Sequence, residues 1–383
     1  MKTEYKSAGD LVSKVAASVL DDVDIIREID KSNMLAFCVD AAAHYREAAE
    51  IAESVSLQYA KPENVVVVGM GGSAIGGELL KDWARDKTLV PIDVSRDYKL
   101  PAYANERSLV LVVSNSGETE ESLSSFLDAL KRRCMIFCVS SGGSLLEFAE
   151  KLAVPYLRVP SGMPPRAALP YMFVPLLELM EKVGVVSGFS REISEAVELL
   201  ARVSGENSPE SPVKGNLAKM LASGINGCVP VVYGFGVYRS VAQRFKQQFN
   251  ENSKVPSKWE FFSELNHNEI VGWEKAGKLA EYFSTIFLRD KVESDVIRSR
   301  IETTKALLPS GSKMFEVWSQ GKCALAKMLS TVCIGDFASV YLAVLNGVDP
   351  TPVENIKLLK EKTKLVGVKE RVKRELAELA VSR

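Results

Sequence analysis

The stretch VVVVGMGGSAIGG, residues 65–77, joins four consecutive valines to a loop that contains five glycines. The valine run is typical of a strand buried on both faces of a parallel sheet. The glycines after it allow the backbone to turn sharply into a helix. This strand–turn–helix arrangement places backbone N–H groups and the positive end of a helix dipole where an anion can bind. The stretch therefore predicts an α/β fold with an anion site at the end of the strand.

The same alternation of short apolar runs and amphipathic stretches continues along the first half of the chain. The runs are NVVVVGM, SLVLVVS, CMIFCVS and VPYLRVP, and TEESLSSFLDALKRR is one of the amphipathic stretches between them. Residues 1–60 carry apolar positions at helical spacing, which predicts helices packed on the adjoining sheet. We therefore expect residues 1–185 to form N-terminal helices and a first doubly wound parallel-sheet domain.

The second half repeats this order after the connector VVSGFS, with CVPVVYGFG, EYFSTIFLRD and KMFEVWSQG as strands. Residues 186–383 are predicted to form a second doubly wound domain, related to the first as a diverged duplication and including the C-terminal helix. In this copy VVYGFGVYRS replaces the glycine-rich loop and lacks a counterpart of Ser73. A phosphate site is therefore expected in the first half only.

Composition excludes several classes of function. The 383 residues include 48 basic and 49 acidic side chains, a net charge of −1, so no basic field attracts a nucleic acid. Apolar stretches such as YMFVPLLELM are shorter than the roughly 20 residues that span a bilayer, and MKTEYKSAGD lacks the apolar core of a signal peptide. We expect a soluble cytoplasmic protein. Six scattered cysteines and two histidines predict no metal site.

A second loop, VVSNSGETEES, separates two interpretations of the glycine loop. The dinucleotide fingerprint fits the glycines weakly, with Asp93 about 20 residues on as the ribose-binding acid. The second loop places Ser114, Ser116 and Thr119 at the start of a helix, where Gly117 lets a ligand approach the backbone. A phosphate monoester, with three acceptor oxygens, needs such hydroxyls, whereas a dinucleotide does not.

Taken together, GMGGSAIGG and SNSGETEES resemble the sugar-isomerase (SIS) domain. SGMPPRAALPY, FNENSKVPS, ELNHNEIVGW and LNGVDPTPVENIKLLK narrow the resemblance to the bifunctional phosphoglucose/phosphomannose isomerase family over residues 60–365. The family usually has an aromatic residue in place of Asn115, asparagine in place of Glu118 and proline in place of Ser263. The resemblance implies aldose–ketose isomerisation between glucose 6-phosphate, mannose 6-phosphate and fructose 6-phosphate through a cis-enediol, with no cofactor or metal.

The resemblance also implies roles for individual residues. Glu251 is the base that moves a proton between C2 and C1, a task that suits a partly buried carboxylate. His267 would open the sugar ring, because imidazole exchanges a proton near neutral pH. Arg166, after two prolines, would stabilise the enediolate. Lys357, or Lys360 if the register slips, would assist ring opening, and Thr351 would accept the mannose stereochemistry. The substrate-binding residues of the two loops are Gly71, Gly72, Ser73, Ser114, Ser116 and Thr119.

Two other functions remain open from the sequence. A SIS module that senses a sugar phosphate without turning it over would have the same loops, although such regulators usually carry an output domain. An NAD-dependent dehydrogenase would use the glycine loop alone. For the isomerase, the family resemblance implies a homodimer in which the histidine of one subunit completes the active site of the other.

Overall fold

The computed structural model describes residues 18–382, so predictions for the first 17 residues lie outside the described part of the chain. The N-terminal half contains α1 (Val23–Ile29), α2 (Met34–Val39), α3 (Ala41–Glu53), β1 (Asn64–Val68), α4 (Gly72–Ala84), β2 (Ile92–Ser95), β3 (Ser108–Val113), α5 (Glu120–Lys131), β4 (Met135–Ser140), α6 (Gly143–Lys151), β5 (Tyr156–Arg158) and α7 (Leu169–Lys182). The remainder contains α8 (Phe189–Glu206), α9 (Leu217–Ile225), β6 (Val229–Phe235), α10 (Tyr238–Glu251), β7 (Lys258–Phe262), α11 (Glu269–Trp273), β8 (Phe283–Arg289), α12 (Asp295–Leu307), β9 (Lys313–Trp318), α13 (Ala324–Leu345), α14 (Glu354–Thr363) and α15 (Val368–Ser382).

The first sheet has five parallel strands in the order β2-β1-β3-β4-β5. The valines of β1, residues 65–68, are all buried, as expected for a strand covered by helices on both faces. A β-carbon at Gly76 would lie 2.8 Å from the carbonyl oxygen of Met172, so α4 and α7 pack closely at this glycine. Part of the glycine-rich pattern is therefore explained by helix packing rather than by a ligand.

The second sheet has four parallel strands in the order β7-β6-β8-β9. This order matches β2-β1-β3-β4 of the first sheet, with no counterpart of β5 in the described residues. The predicted fold class, two doubly wound parallel sheets, is confirmed. Strands β2 and β7 were not predicted from the sequence, because both are short and β7 is only partly buried.

The chain divides into two compact units that differ from the predicted boundaries. Among the described residues, the five-stranded unit comprises Ala43–Ser194 and residues 353–382, and the four-stranded unit comprises residues 18–42 and Glu195–Pro352. At the C-terminus, α15 buries Val372 and Leu376 in the core of the five-stranded unit. Near the N-terminus, α1 and α2 pack against α13 of the four-stranded unit. Each of these helices belongs to the unit whose core buries its apolar face, and this differs from the unit predicted from its position in the sequence.

Helix α13 corrects the expectation that no apolar stretch approaches membrane length. It has 22 residues and is apolar enough to cross a bilayer, but 89% of its most apolar window is buried inside the protein. An apolar helix covered on all sides is a core helix. It is the only such helix within residues 18–382.

Candidate active site

The glycine loop connects β1 to α4 at the carboxyl edge of the five-stranded sheet. Gly71 has a φ of +50°, a left-handed conformation that favours glycine, and immediately precedes the first helical residue, Gly72. Ser73 follows in the first turn and is 5% exposed. The start of a 13-residue helix carries the positive end of the helix dipole, so this loop offers an anion both a favourable field and a hydroxyl.

The hydroxyl-rich loop connects β3, the neighbour of β1, to α5. The Ser114 hydroxyl accepts a hydrogen bond from the Gly117 amide (3.1 Å) and donates to the Thr119 hydroxyl (3.1 Å). The exposed Ser116 hydroxyl accepts from the amide of Glu118 (3.2 Å). Thr119 is the N-cap of α5, but its side chain makes no capping hydrogen bond. The hydroxyls are therefore ordered by the loop rather than consumed in capping the helix.

Asn115 joins the two loops. Its amide donates to the Ser73 hydroxyl (3.2 Å), and its side-chain nitrogen lies 3.4 Å from the Met163 carbonyl oxygen. The structure thus brings together all six predicted phosphate residues, which are Gly71, Gly72, Ser73, Ser114, Ser116 and Thr119. Their role as phosphate ligands remains a prediction. Asn115 itself was not among the sequence-predicted site residues.

Arg166 lies on a third segment that contacts the glycine loop. The residue is 3% exposed and precedes α7. A β-carbon at Gly72 would lie 2.6 Å from the Pro165 carbonyl oxygen and 3.1 Å from the Arg166 amide nitrogen. Only glycine permits this approach at position 72 without a shift of the Pro165–Arg166 backbone. The structure therefore brings the predicted enediolate stabiliser next to the predicted phosphate loops.

Glu118 fixes the hydroxyl-rich loop to two helices. Its Oε1 accepts from the Ser144 amide and the Ser144 hydroxyl, both at 2.7 Å, and its Oε2 pairs with Lys369 and with Lys373, the latter at 3.1 Å. Burial alone would raise the pKa of Glu118, but the hydrogen bonds from Lys369 and Ser144 lower that pKa to about 2. Sequence reasoning missed these partners, because no local pattern links residues so far apart in the chain.

The matching edge of the four-stranded sheet carries different chemistry. The Tyr238 hydroxyl donates to Asp290 (2.7 Å), and the Lys327 ammonium donates to the same carboxylate (3.0 Å). Burial would raise the pKa of Asp290, but hydrogen bonds from Tyr238 and Lys327 lower it, so the group is anionic. This strand end therefore carries an ion pair in place of the hydroxyl-rich loop, and the two sheet edges are not equivalent in chemistry.

Glu251 is the last residue of α10 and is half-buried. The turn after it is anchored to α13, because Asn252 donates to the Ser339 hydroxyl (2.9 Å) and Ser253 donates to the Ser339 carbonyl (2.6 Å). Lys254 donates to the carbonyl oxygens of both Glu251 and Pro350. Since Thr351 follows Pro350, one ammonium group links the turn of the predicted base to the segment of the predicted threonine.

His267 is exposed and ends a 3₁₀ turn, Glu264–His267, that follows β7. Asn266 fixes this turn by donating to the Thr304 hydroxyl (2.9 Å) and accepting from Arg300 (3.3 Å). On the other side of His267, Glu269 accepts from the Tyr233 hydroxyl (2.6 Å). The exposed imidazole therefore stands on a segment that is tied to the unit on both sides.

Glu251 and His267 lie at opposite edges of the four-stranded sheet. Helix α10 starts where β6 ends and runs back to the amino edge, so Glu251 is at that edge. Strand β7 is parallel to β6, so His267 follows it at the carboxyl edge. The two edges are separated by the full length of the strands, which rise about 3.3 Å per residue. The structure does not bring the two predicted proton-transfer residues together within one chain.

Lys357 lies on α14, where its ammonium pairs with Glu354 (2.8 Å) and its side chain is 62% exposed. Asp93, the acid required by the dinucleotide interpretation, is instead bound to Lys81 (2.9 Å) and to the Tyr103 hydroxyl (2.9 Å). Within residues 18–382, no group of three or more histidine, cysteine, aspartate or glutamate side chains could hold a metal ion.

Comparison with known proteins identifies close relatives. Residues 214–363 match the family model described as bacterial phospho-glucose isomerase C-terminal SIS domain. A protein of Caldicellulosiruptor bescii is 42% identical over 81% of this chain and 92% of its own length, and one of Aquifex aeolicus is 34% identical over 82% and 94%. Both are named bifunctional phosphoglucose/phosphomannose isomerase. A glucose-6-phosphate isomerase structure from Chlamydia trachomatis superposes with a TM-score of 0.70 over 94% of this chain and 86% of its own, at 14% identity.

Proposed function

Because this chain belongs to the bifunctional phosphoglucose/phosphomannose isomerase family, we propose that it interconverts glucose 6-phosphate and mannose 6-phosphate with fructose 6-phosphate. The observation that carries the proposal is the pair of neighbouring strand-end loops joined by the hydrogen bond from Asn115 to Ser73. Hydroxyl donors and a helix dipole suit the three acceptor oxygens of a phosphate monoester. Glucose, mannose and fructose 6-phosphates share that group.

We assign the proton transfer to Glu251. In the open-chain aldose, this carboxylate takes the proton from C2, the electrons of the C–H bond form the C1–C2 double bond, and the carbonyl oxygen becomes the enediolate oxygen. Transfer of the O2 proton to O1 and return of the proton from Glu251 to C1 give the ketose, and return to C2 gives glucose or mannose stereochemistry. Arg166 stabilises the negative oxygen, as a fixed guanidinium can. No cofactor or metal takes part in this sequence of steps.

Ring opening requires loss of the proton on the C1 hydroxyl and protonation of the ring oxygen. We assign these transfers to His267 and Lys357, and to Thr351 the acceptance of the axial hydroxyl of mannose. These three roles rest on the family resemblance. Two features of the structure support them. Asn266 holds the turn that carries His267, and Lys254 links the Glu251 carbonyl to Pro350, which precedes Thr351.

We further propose a homodimer with shared active sites. Glu251 and His267 stand at opposite edges of one sheet, so a histidine from a second copy is the simpler partner for each Glu251. A two-fold dimer then has two such composite sites. Hexose phosphates are charged and do not cross membranes unaided, so we place the activity in the cytoplasm, at the step shared by glycolysis and gluconeogenesis, with no nucleic-acid or membrane partner.

A coupled assay for fructose 6-phosphate formation tests the proposed function. The purified protein is supplied separately with glucose 6-phosphate and mannose 6-phosphate, with a chelator present in both reactions. We expect turnover of both sugars at rates that the chelator does not change. A folded sample that bound glucose 6-phosphate but turned over neither sugar would indicate a sensor instead.

A further inference from the structure

The carboxylate of Glu118 connects three elements of the five-stranded unit. It belongs to the hydroxyl-rich loop, its Oε1 accepts two hydrogen bonds from Ser144 at the start of α6, and its Oε2 pairs with Lys369 and Lys373 of α15. The side chain is 36% exposed and the two lysines are 28% and 35% exposed. These pairs are partly shielded from solvent, so they contribute more stabilisation than fully exposed ion pairs do.

Helix α15 is fixed independently of Glu118. Val372 and Leu376 are buried in the core beside residues of β3, α5 and β4. On the same helix, Glu375 pairs with Lys131 near the C-terminal end of α5. The ammonium groups of Lys369 and Lys373, four residues apart on one helix face, are therefore presented to the loop by a docked element.

We propose that Glu118 is a positioning residue for phosphate binding and that Lys369 and Lys373 of α15 hold it in place. Ser116, two residues before Glu118, accepts from the Glu118 amide, so the proton of its exposed hydroxyl can be donated to a phosphate. Holding that backbone in its binding conformation removes the loss of freedom that binding would otherwise require. The inference rests on the proposed function, since it takes the phosphate of the sugar as the ligand.

A neutral side chain at position 118 cannot form ion pairs with the two lysines. A neutral amide at position 118 could still accept one hydrogen bond from Ser144, but it would leave both ammonium groups without their shared carboxylate. The link between the loop and the C-terminal helix therefore depends on the negative charge of Glu118.

The test compares Glu118→Gln and the double variant Lys369→Met/Lys373→Met with Glu375→Gln. The control removes an ion pair of the same helix that does not touch the loop. We expect the first two to raise KM for glucose 6-phosphate and the inhibition constant of inorganic phosphate by about 5- to 50-fold, with kcat within twofold of wild type. Glu375→Gln should leave all three constants within twofold. Combining Glu118→Gln with the lysine changes should add little, because all three remove one interaction.

Direct calorimetry with inorganic phosphate keeps this inference separate from the proposed function. If the wild type binds phosphate and Glu118→Gln weakens that binding, the positioning role holds even if neither sugar is turned over. The inference is overturned if Glu118→Gln binds phosphate as tightly as wild type, if Glu375→Gln weakens binding equally, or if the wild type has no measurable affinity for phosphate.

Discussion

The turn after Glu251 supports its proposed role as the base. The next two residues, Asn252 and Ser253, are each 1% exposed and bound to Ser339, so the end of α10 is held rigidly while the carboxylate remains half-buried. A base held in place and partly withdrawn from water is suited to removing a carbon-bound proton. The neighbouring Asn250 has a buried side-chain oxygen with no hydrogen-bond partner among the described residues.

We predict that Glu251→Gln lowers kcat by about 10²- to 10⁴-fold, the usual loss when a general base is removed. The amide keeps the size of the side chain, so phosphate inhibition and the melting temperature should stay close to wild type. Glu274→Gln, in the same unit, is the matched control and should retain full activity. A Glu251→Gln enzyme with wild-type kcat would assign the base to another residue.

Some of the residues at the candidate site could be predicted from the sequence, and others could not. Ser73, Ser114 and Thr119 could be grouped from two short motifs because parallel strands place their following loops at one edge. Ser144, Lys369 and Lys373 could not, since they meet Glu118 through the packing of α6 and α15 and Lys373 is 255 positions away. The opposite-edge placement of Glu251 and His267 required β7, which the hydrophobic pattern did not reveal.

At the scale of elements, ion pairs determine how the loops are held as pH changes. The pKa of Glu118 is lowered to about 2, below the ordinary glutamate value of 4.5 that applies in the unfolded chain. A group whose folded pKa is lowered stabilises the fold above the unfolded pKa, and that stabilisation is lost as the pH falls through the folded pKa. Because the Glu118 side chain is partly exposed, solvent screening reduces the size of this stabilisation.

We therefore predict a pH-dependent difference between wild type and Glu118→Gln in urea unfolding. The wild type should have the higher midpoint at pH 7, and its advantage should diminish from about pH 4.5 towards pH 2 as the carboxylate is protonated. Glu150→Gln, on an exposed position of α6, serves as the control variant. An advantage of wild type over Glu118→Gln that stays constant down to pH 3 would contradict the assigned pairing.

A largely buried ion pair joins α10, which ends at Glu251, to the core helix α13. Arg244 donates to Asp336 through Nε (3.0 Å) and Nη2 (2.7 Å), and Gln248 donates to the same carboxylate (3.0 Å). Burial raises the pKa of Asp336, and the adjacent guanidinium opposes that rise. The pair fixes the rotation of α10 on α13, and with it the position of Glu251.

We expect Arg244→Met to destabilise the protein by about 3–5 kcal/mol, because it leaves a buried carboxylate without its cation. Arg244→Met with Asp336→Leu should recover much of that loss, since it removes both charges. Arg202→Met breaks the exposed pair with Glu206 (3.0 Å) and should cost less than about 1 kcal/mol. Equal unfolding midpoints for Arg244→Met and Arg202→Met would show that the buried pair is not needed.

For the whole molecule, each compact unit is built from two separate segments of the chain, and the sequence order of elements did not reveal this. The strand alternation predicted two sheets and their related topologies, because it depends on local periodicity. Which unit α1, α2 and α15 belong to depends on the core against which their apolar faces pack. Because several helices have similar amphipathic faces, the sequence pattern does not determine this. Residues such as Val372 and Leu376 fit either unit by hydropathy alone, and only three-dimensional packing decides between them.

The proposed shared sites predict complementation between inactive subunits. Glu251→Gln and His267→Ala preparations, each nearly inactive, are mixed after reversible dissociation. A mixed dimer then holds one site with both changes and one with neither, so activity should recover to roughly a quarter of wild type if pairing is random. Each variant taken alone through the same dissociation is the control. Proven subunit exchange without recovered activity would return His267 to the site of its own chain.

Isomerisation of both sugars by proton transfer is tested most directly by nuclear magnetic resonance in deuterated water. Glucose 6-phosphate and mannose 6-phosphate are incubated separately with the enzyme and a chelator. We predict that both reach the same mixture with fructose 6-phosphate, and that deuterium enters C1 of the ketose and C2 of both aldoses. The absence of deuterium from every product after prolonged incubation at equilibrium, when each molecule has turned over many times, would mean that hydrogen moves as a hydride. That outcome would contradict proton transfer by Glu251, and conversion of only one aldose would contradict the proposed dual specificity.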